Sequence, residues 1–119
     1  MKIIFDTSFL VTAIKFKIDF LSELIGNEFF VLDSVIKELK KISKGKKKES
    51  IAAKVALELI KLKKIKILKS KDGTDKSLLI YGKKDFVIAT QDSELRKKLK
   101  SEKVKVIYLK GRKYLTVEV

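Results

Sequence analysis

Three acids, Asp6, Asp75 and Asp92, stand at or just before the start of an expected helix, and a fourth, Glu38, lies one turn into another. Among the 119 residues there is no His and no Cys. Imidazole bases, thiolate nucleophiles, disulfides and thiolate zinc sites are therefore excluded. Catalysis would rest on carboxylates, hydroxyls, lysines or a bound metal. A metal held by oxygen ligands alone points to Mg²⁺ or Mn²⁺ rather than Zn²⁺.

Each acid also has a purely structural reading. Asp6 follows the consecutive strand-forming residues Ile3, Ile4 and Phe5 and precedes Thr7 and Ser8. It either opens into the crevice at the carboxyl end of a buried strand or caps the next helix. Glu38 lies on a helix whose apolar positions, Val35, Leu39 and Ile42, span an arc of about 60°. It falls about 40° outside that arc, at a wet boundary or at the lip of a crevice. Asp75 sits in a first helical turn, where the helix dipole favours a negative charge. Asp92 follows the apolar run Phe86-Val87-Ile88-Ala89 and is itself a plausible N-cap.

The elements that would position these acids follow from apolar periodicity. Strands are expected at Ile3–Phe5, Glu28–Leu32, Ile65–Leu68, Phe86–Ala89 and Val104–Leu109. Helices are expected at Ser8–Lys15, Asp19–Ile25, Val35–Ile42, Glu49–Lys63 and Thr74–Gly82, and from Asp92 to Ser101. Asp33 or Ser34 would cap the third helix. In the Glu49–Lys63 helix, the apolar set Ile51, Ala52, Val55, Ala56, Leu59 and Ile60 predicts the buried face. Strands alternating with helices imply right-handed βαβ crossovers. The fold class is α/β: a three-layer α/β/α sandwich over residues 1–119 as one domain, with a mostly parallel five-stranded sheet. Residues Tyr114–Val119 would add an antiparallel edge strand by a hairpin.

Lys and Arg number 29 against 15 Asp and Glu, for a net charge of +14. Such a surface attracts polyanions, nucleic acid first. A lysine-rich composition from an AT-biased or heat-adapted genome would look the same. No apolar run approaches the ~20 residues of a membrane span, and no signal segment precedes the first strand, so a cytoplasmic protein is expected.

All four acids fall at the carboxyl edge of the expected sheet. Unpaired carboxylates gathered there would repel one another and raise each other's pKa unless a cation held them. Taken together, these motifs resemble the PIN-domain family of metal-dependent ribonucleases. The likeness is carried by Asp6-Thr7-Ser8, by Val35-Ile36-Lys37-Glu38-Leu39, by Thr74-Asp75 before Leu78-Leu79, and by Val87 through Leu95 with its Thr90-Gln91-Asp92. The Val106–Leu115 tail is most similar to short archaeal members, related to ribosomal-RNA-processing nucleases and to VapC-type toxins. Two departures are Lys76, where many relatives carry a second acid beside the third, and Asp33-Ser34, where relatives often have Pro.

The resemblance implies a divalent-metal-dependent endoribonuclease. In it, Asp6, Glu38, Asp75 and Asp92 would hold one or two Mg²⁺ or Mn²⁺ ions and carry catalysis. Thr7, Ser8 and Thr90 would orient the carboxylates or the water. Lysines near the crevice would grip RNA phosphates without reading sequence; the candidates are Arg96, Lys97 and Lys98, then Lys46, Lys47 and Lys48. Implied partners are RNA, a second copy of the chain and, for a toxin, a small antitoxin protein; a membrane is not among them. The alternative is a PIN-like RNA-binding or protein-interaction module without catalysis. A haloacid-dehalogenase-type phosphatase would want a second Asp where Ser8 stands, and a dinucleotide enzyme a glycine-rich turn.

Overall fold

The computed structural model describes residues 1–119. Its centre is β1 (Lys2–Phe5), where Ile3, Ile4 and Phe5 are fully buried. Strand β1 pairs in parallel with β2 (Glu28–Leu32) on one side and with β4 (Phe86–Ala89) on the other. Ile3 lies opposite Phe29 and Val87, and Ile4 opposite Phe30 and Ile88. Strand β3 (Lys66–Leu68) extends the sheet beyond β2, and β5 (Val106–Lys110) extends it beyond β4. Strand β6 (Tyr114–Glu118) closes the far edge, antiparallel to β5. The order is β3-β2-β1-β4-β5-β6, so the expected five parallel strands and the antiparallel edge strand are all present.

Alternation along the strands sends successive side chains to opposite layers. On one face Phe5 packs with Phe29, and with Phe9 and Phe20 of α1 (Thr7–Lys15) and α2 (Phe20–Glu23), at ring-centroid separations of 5.1 to 5.6 Å. Helices α3 (Asp33–Ser43) and α4 (Lys48–Leu62) pack with α1 in this layer. On the other face Phe86 meets Phe30 at 5.2 Å and Tyr81 at 5.3 Å. Tyr81 belongs to α5 (Thr74–Gly82), which packs beside α6 (Ser93–Ser101). Gly82 at the end of α5 lets the segment before β5 come close: an added Cβ would lie 2.5 Å from Val104 Cγ1.

Two local expectations change. Helix α3 begins at Asp33, with Leu32 in the capping position. The Asp33 carboxylate instead accepts hydrogen bonds from Ser70 N at 3.0 Å and Ser70 Oγ at 2.6 Å, besides Ser34 N at 2.7 Å. It ties the start of α3 to the loop after β3. In α4 the buried positions are Ser50, Ala52, Ala53, Ala56 and Ile60, whereas Ile51 is 57% exposed and Val55 is also exposed. The three alanines let α4 lie close to α1 and α3, which turns the bulkier Ile51 and Val55 outward. No helix is long and apolar enough to cross a membrane.

Candidate metal centre

The chain runs β1, β2, β3 to one side and then returns to place β4 against β1. Ligand crevices of open α/β sheets form at such a reversal, outside the carboxyl ends of the two strands. Here the two strand ends deliver Asp6 and the segment Thr90-Gln91-Asp92. The backbone N–H of Asp6 donates to Ala89 O at 2.8 Å, and that of Thr90 to Ile107 O at 3.0 Å, so both ends are stitched into the sheet.

A cleft of about 490 Å³ opens over this junction. Its walls include Asp6, Thr7, Ser8, Glu38, Thr74, Asp75 and Asp92. All four sequence-predicted acids therefore face one space, although 86 residues separate the first from the last.

Asp6 is only 8% exposed, and its side chain does not cap α1. Its Oδ2 accepts from Thr90 Oγ1 at 2.8 Å and from Ser8 Oγ at 3.3 Å. Burial pushes the Asp6 pKa up, opposed by the Thr90 hydroxyl and the Thr7 backbone and reinforced by the Glu38 charge. Thr90 also accepts from Asp92 N at 3.2 Å, so one buried hydroxyl fixes both aspartates. Ser8 Oγ lies 3.1 Å from Thr90 Oγ1 and accepts from Gln91 N at 3.0 Å. Asp92 does cap its helix, Oδ1 accepting from Glu94 N and Leu95 N at 3.1 Å each. Its structural role and its place in the cleft coexist, one oxygen serving the cap. Asp75 opens α5 without a cap bond. Its surroundings are fixed by the Thr74 hydroxyl donating to Ser34 Oγ at 2.7 Å and by the Asp33–Ser70 tie. Glu38 is exposed on α3 beside Ile42, which also lines the cleft.

The four acids share the cleft without converging, since no three of them lie close enough to hold one ion. The donor set nevertheless fits a hard cation. It offers only oxygens, and Mg²⁺ commonly keeps several waters while bound by one or two carboxylates. Thr7 Oγ1 is buried at the cleft floor with no hydrogen-bond partner, a shortfall that a hydrated ion beside Asp6 would satisfy.

None of the expected RNA-gripping residues lines the cleft. Arg96 is engaged elsewhere, its guanidinium 4.0 Å from the Tyr108 ring centre. Lys97 and Lys98 are exposed on α6. Lys46 and Lys47 lie in the exposed loop between α3 and α4, and Lys48 begins α4; this basic stretch runs between two cleft residues, Ile42 and Glu49. Glu49 itself is a wall residue that sequence reasoning missed. It is paired with Lys15 Nζ at 2.6 Å, which holds its carboxyl below the usual range. It follows no strand and reads as an ordinary first-turn acid, so no local signal marks it.

A family model described as a PIN-like domain matches residues 3–112. Ribonuclease VapC4 of Methanocaldococcus jannaschii is 31% identical to the chain, over 98% of this chain and 95% of that protein. Ribonuclease VapC9 of Archaeoglobus fulgidus is 32% identical, over 96% and 87%. In structure, a domain of a functionally unknown protein from M. jannaschii superposes with a TM-score of 0.67 at 15% identity, over 99% of this chain and 96% of that one. That likeness speaks for the fold.

Proposed function

The chain belongs to the PIN-like domain family, and on that premise we propose that it is a cytoplasmic endoribonuclease hydrolysing RNA phosphodiester bonds with Mg²⁺ or Mn²⁺. The observation that carries the reading is the placement of Asp6, Glu38, Asp75 and Asp92 around one cleft at the β1/β4 reversal. The ribonuclease names of two near-full-length relatives support it.

In this reading the cleft would take one or two ions, each bound directly by one or two of the four acids and through water by the others, and Asp6, Glu38, Asp75 and Asp92 together carry catalysis. When bound, the ion activates a water and offsets charge on the phosphoryl oxygens and the leaving group. The rest falls to the chain. Thr90 orients Asp6 and the Asp92 backbone together, Ser8 braces both hydroxyl and strand end, and Thr7 lines the cleft beside Asp6 with its hydroxyl unpartnered. Without an imidazole base, taking the proton from the attacking water would fall to the bound ion and a neighbouring carboxylate. Lysines near the cleft would draw in the phosphate backbone: Lys97 and Lys98, with Arg96, on the helix that Asp92 caps, and Lys46, Lys47 and Lys48 in the stretch between the cleft residues Ile42 and Glu49.

Of the two roles implied by the resemblance, the relatives' names favour toxin-type cleavage over RNA processing. A small antitoxin protein and a second copy of the chain are the proposed partners, and a small gene beside this one would support the former. A second reading has two favourable observations: Lys76 flanks Asp75, and no three acids converge. It makes the chain an RNA-binding module without catalysis. The test is cleavage of single-stranded RNA with Mn²⁺ or Mg²⁺ by wild type, Asp6→Asn and Asp92→Asn. We expect each variant to lose at least about 100-fold in rate. Undiminished cleavage by both variants would sink the metal-site reading; salt-sensitive binding with no metal-dependent cleavage would establish the second.

A further inference from the structure

Arginine is scarce in this chain. Of 29 basic residues only Arg96 and Arg112 are arginines, and both sit over aromatic rings. Arg96 is absorbed into a cluster in which it and Lys100, on α6, meet Tyr108 of β5 and Glu118 of β6. Arg112 is not. It lies at the tip of the β5–β6 hairpin, its guanidinium 5.2 Å from the ring centre of Phe16 at the end of α1. The three ion pairs of the molecule use Lys15, Lys83 and Lys100, so Arg112 has no carboxylate partner.

Three observations set this pair apart from incidental surface packing. Phe16 is 40% exposed although it is a large apolar side chain. Gly111 and Arg112 take φ of 60° and 58°, and Lys113 N donates to Lys110 O at 3.2 Å, as in a primed hairpin turn. Glycine or asparagine would suit the second of those positions better than arginine, so the turn does not account for Arg112. Finally, Lys15 joins the pair to the cleft: its ammonium is 5.8 Å from the Phe16 ring centre and paired with the cleft residue Glu49. Lys17, Lys110 and Lys113 surround it, all exposed.

We propose that Arg112, seated on Phe16, is a phosphate contact for the RNA strand where it leaves the cleft past Lys15. A guanidinium presents a planar fork that grips phosphate with two parallel bonds, and an aromatic ring beneath it limits the orientations it must give up on binding. A lysine could supply the charge but neither the fork nor the stacking. The inference rests on the ribonuclease reading, and Arg112 is a substrate-binding residue in it, with no part in the chemical step.

The test uses a labelled oligouridylate of about 15 nucleotides, bound in EDTA to prevent cleavage and then cleaved with Mn²⁺. Arg112→Asn keeps the turn and removes the guanidinium. It is expected to weaken binding about tenfold and to lower the salt slope by about 0.7. KM should rise and kcat should hold. Arg112→Lys and Phe16→Leu should keep the wild-type salt slope and lose about threefold in affinity, with melting temperatures checked for each. Unchanged affinity and slope in Arg112→Asn, with a wild type that binds and cleaves, overturns the inference and leaves the ribonuclease reading standing. A wild type that neither binds nor cleaves the RNA overturns both.

Discussion

Thr90 has the largest consequence for its size. One hydroxyl, on a fully buried residue, donates to the Asp6 carboxylate and accepts from the Asp92 backbone. Its bond lowers an Asp6 pKa that burial raises, so Thr90 helps keep the ionised form that a cation needs. Thr90→Val preserves shape and removes both bonds. We expect cleavage to fall about 10- to 100-fold. The acidic limb of its pH–rate profile should also move to higher pH, because the Asp6 pKa rises further once the bond is gone. A profile with an unmoved acidic limb would show that Thr90 acts on packing alone. Linkage runs with a definite sign for the folded chain too. A raised folded-state pKa contributes stability below the unfolded value and loses it as pH rises through the folded value. An ionised Asp6 is thus a cost to the apo fold at neutral pH, as expected of a residue kept for function.

Helices, rather than strand ends, locate Glu38 and Asp75, one midway along α3 and the other in the first turn of α5, and Asp33 is the element-scale device that ties the two helices' starts together. Its carboxylate fastens the start of α3 to Ser70 in the loop that leads to Asp75. The Ser70 hydroxyl and backbone hold its pKa below the usual 3.8. That contribution to stability is therefore present above the unfolded pKa and is lost as pH falls through the depressed folded value. Asp33→Ala should lower cleavage by loosening Asp75 while RNA affinity in EDTA stays within about twofold, since no phosphate contact is removed. Hydrogen exchange over Lys69–Asp75 would check it: unchanged protection there would mean that the tie does no ordering. The same element analysis explains α4. Periodicity marked an apolar set correctly as helical, but Ala52, Ala53 and Ala56 rather than Ile51 and Val55 face the core, because the small residues allow close approach to α1 and α3.

At the scale of the molecule the unanswered term is charge. Three ion pairs leave most of the 29 cations without carboxylate partners. A composition effect and an RNA-binding surface make different forecasts. If about four phosphates are neutralised, raising salt from about 50 to about 200 mM should weaken single-strand binding roughly 50-fold. Salt-independent affinity would mark the lysine excess as compositional. Anisotropy titrations at several salt concentrations decide between them.

Sequence by itself determined the strand-helix alternation, the strand order's raw material and the four acids, because burial of β1 and β4 demands unbroken apolar runs and leaves polar residues only at their ends. Glu28–Leu32, Thr74–Gly82 and Phe86–Ala89 could be read to the residue for that reason. Tertiary structure alone decided what those acids face. Whether Asp6 caps a helix or opens to a cleft depends on Thr90, 84 residues away, whose hydroxyl occupies Oδ2. Glu49 joined the wall, and Arg96 left the list of free cations, through contacts with Lys15 and Tyr108 that no local spacing encodes. Periodicity reports which side of an element is buried; only packing fixes which elements meet, and a site made of side chains from four helices and the ends of two strands exists only after they do.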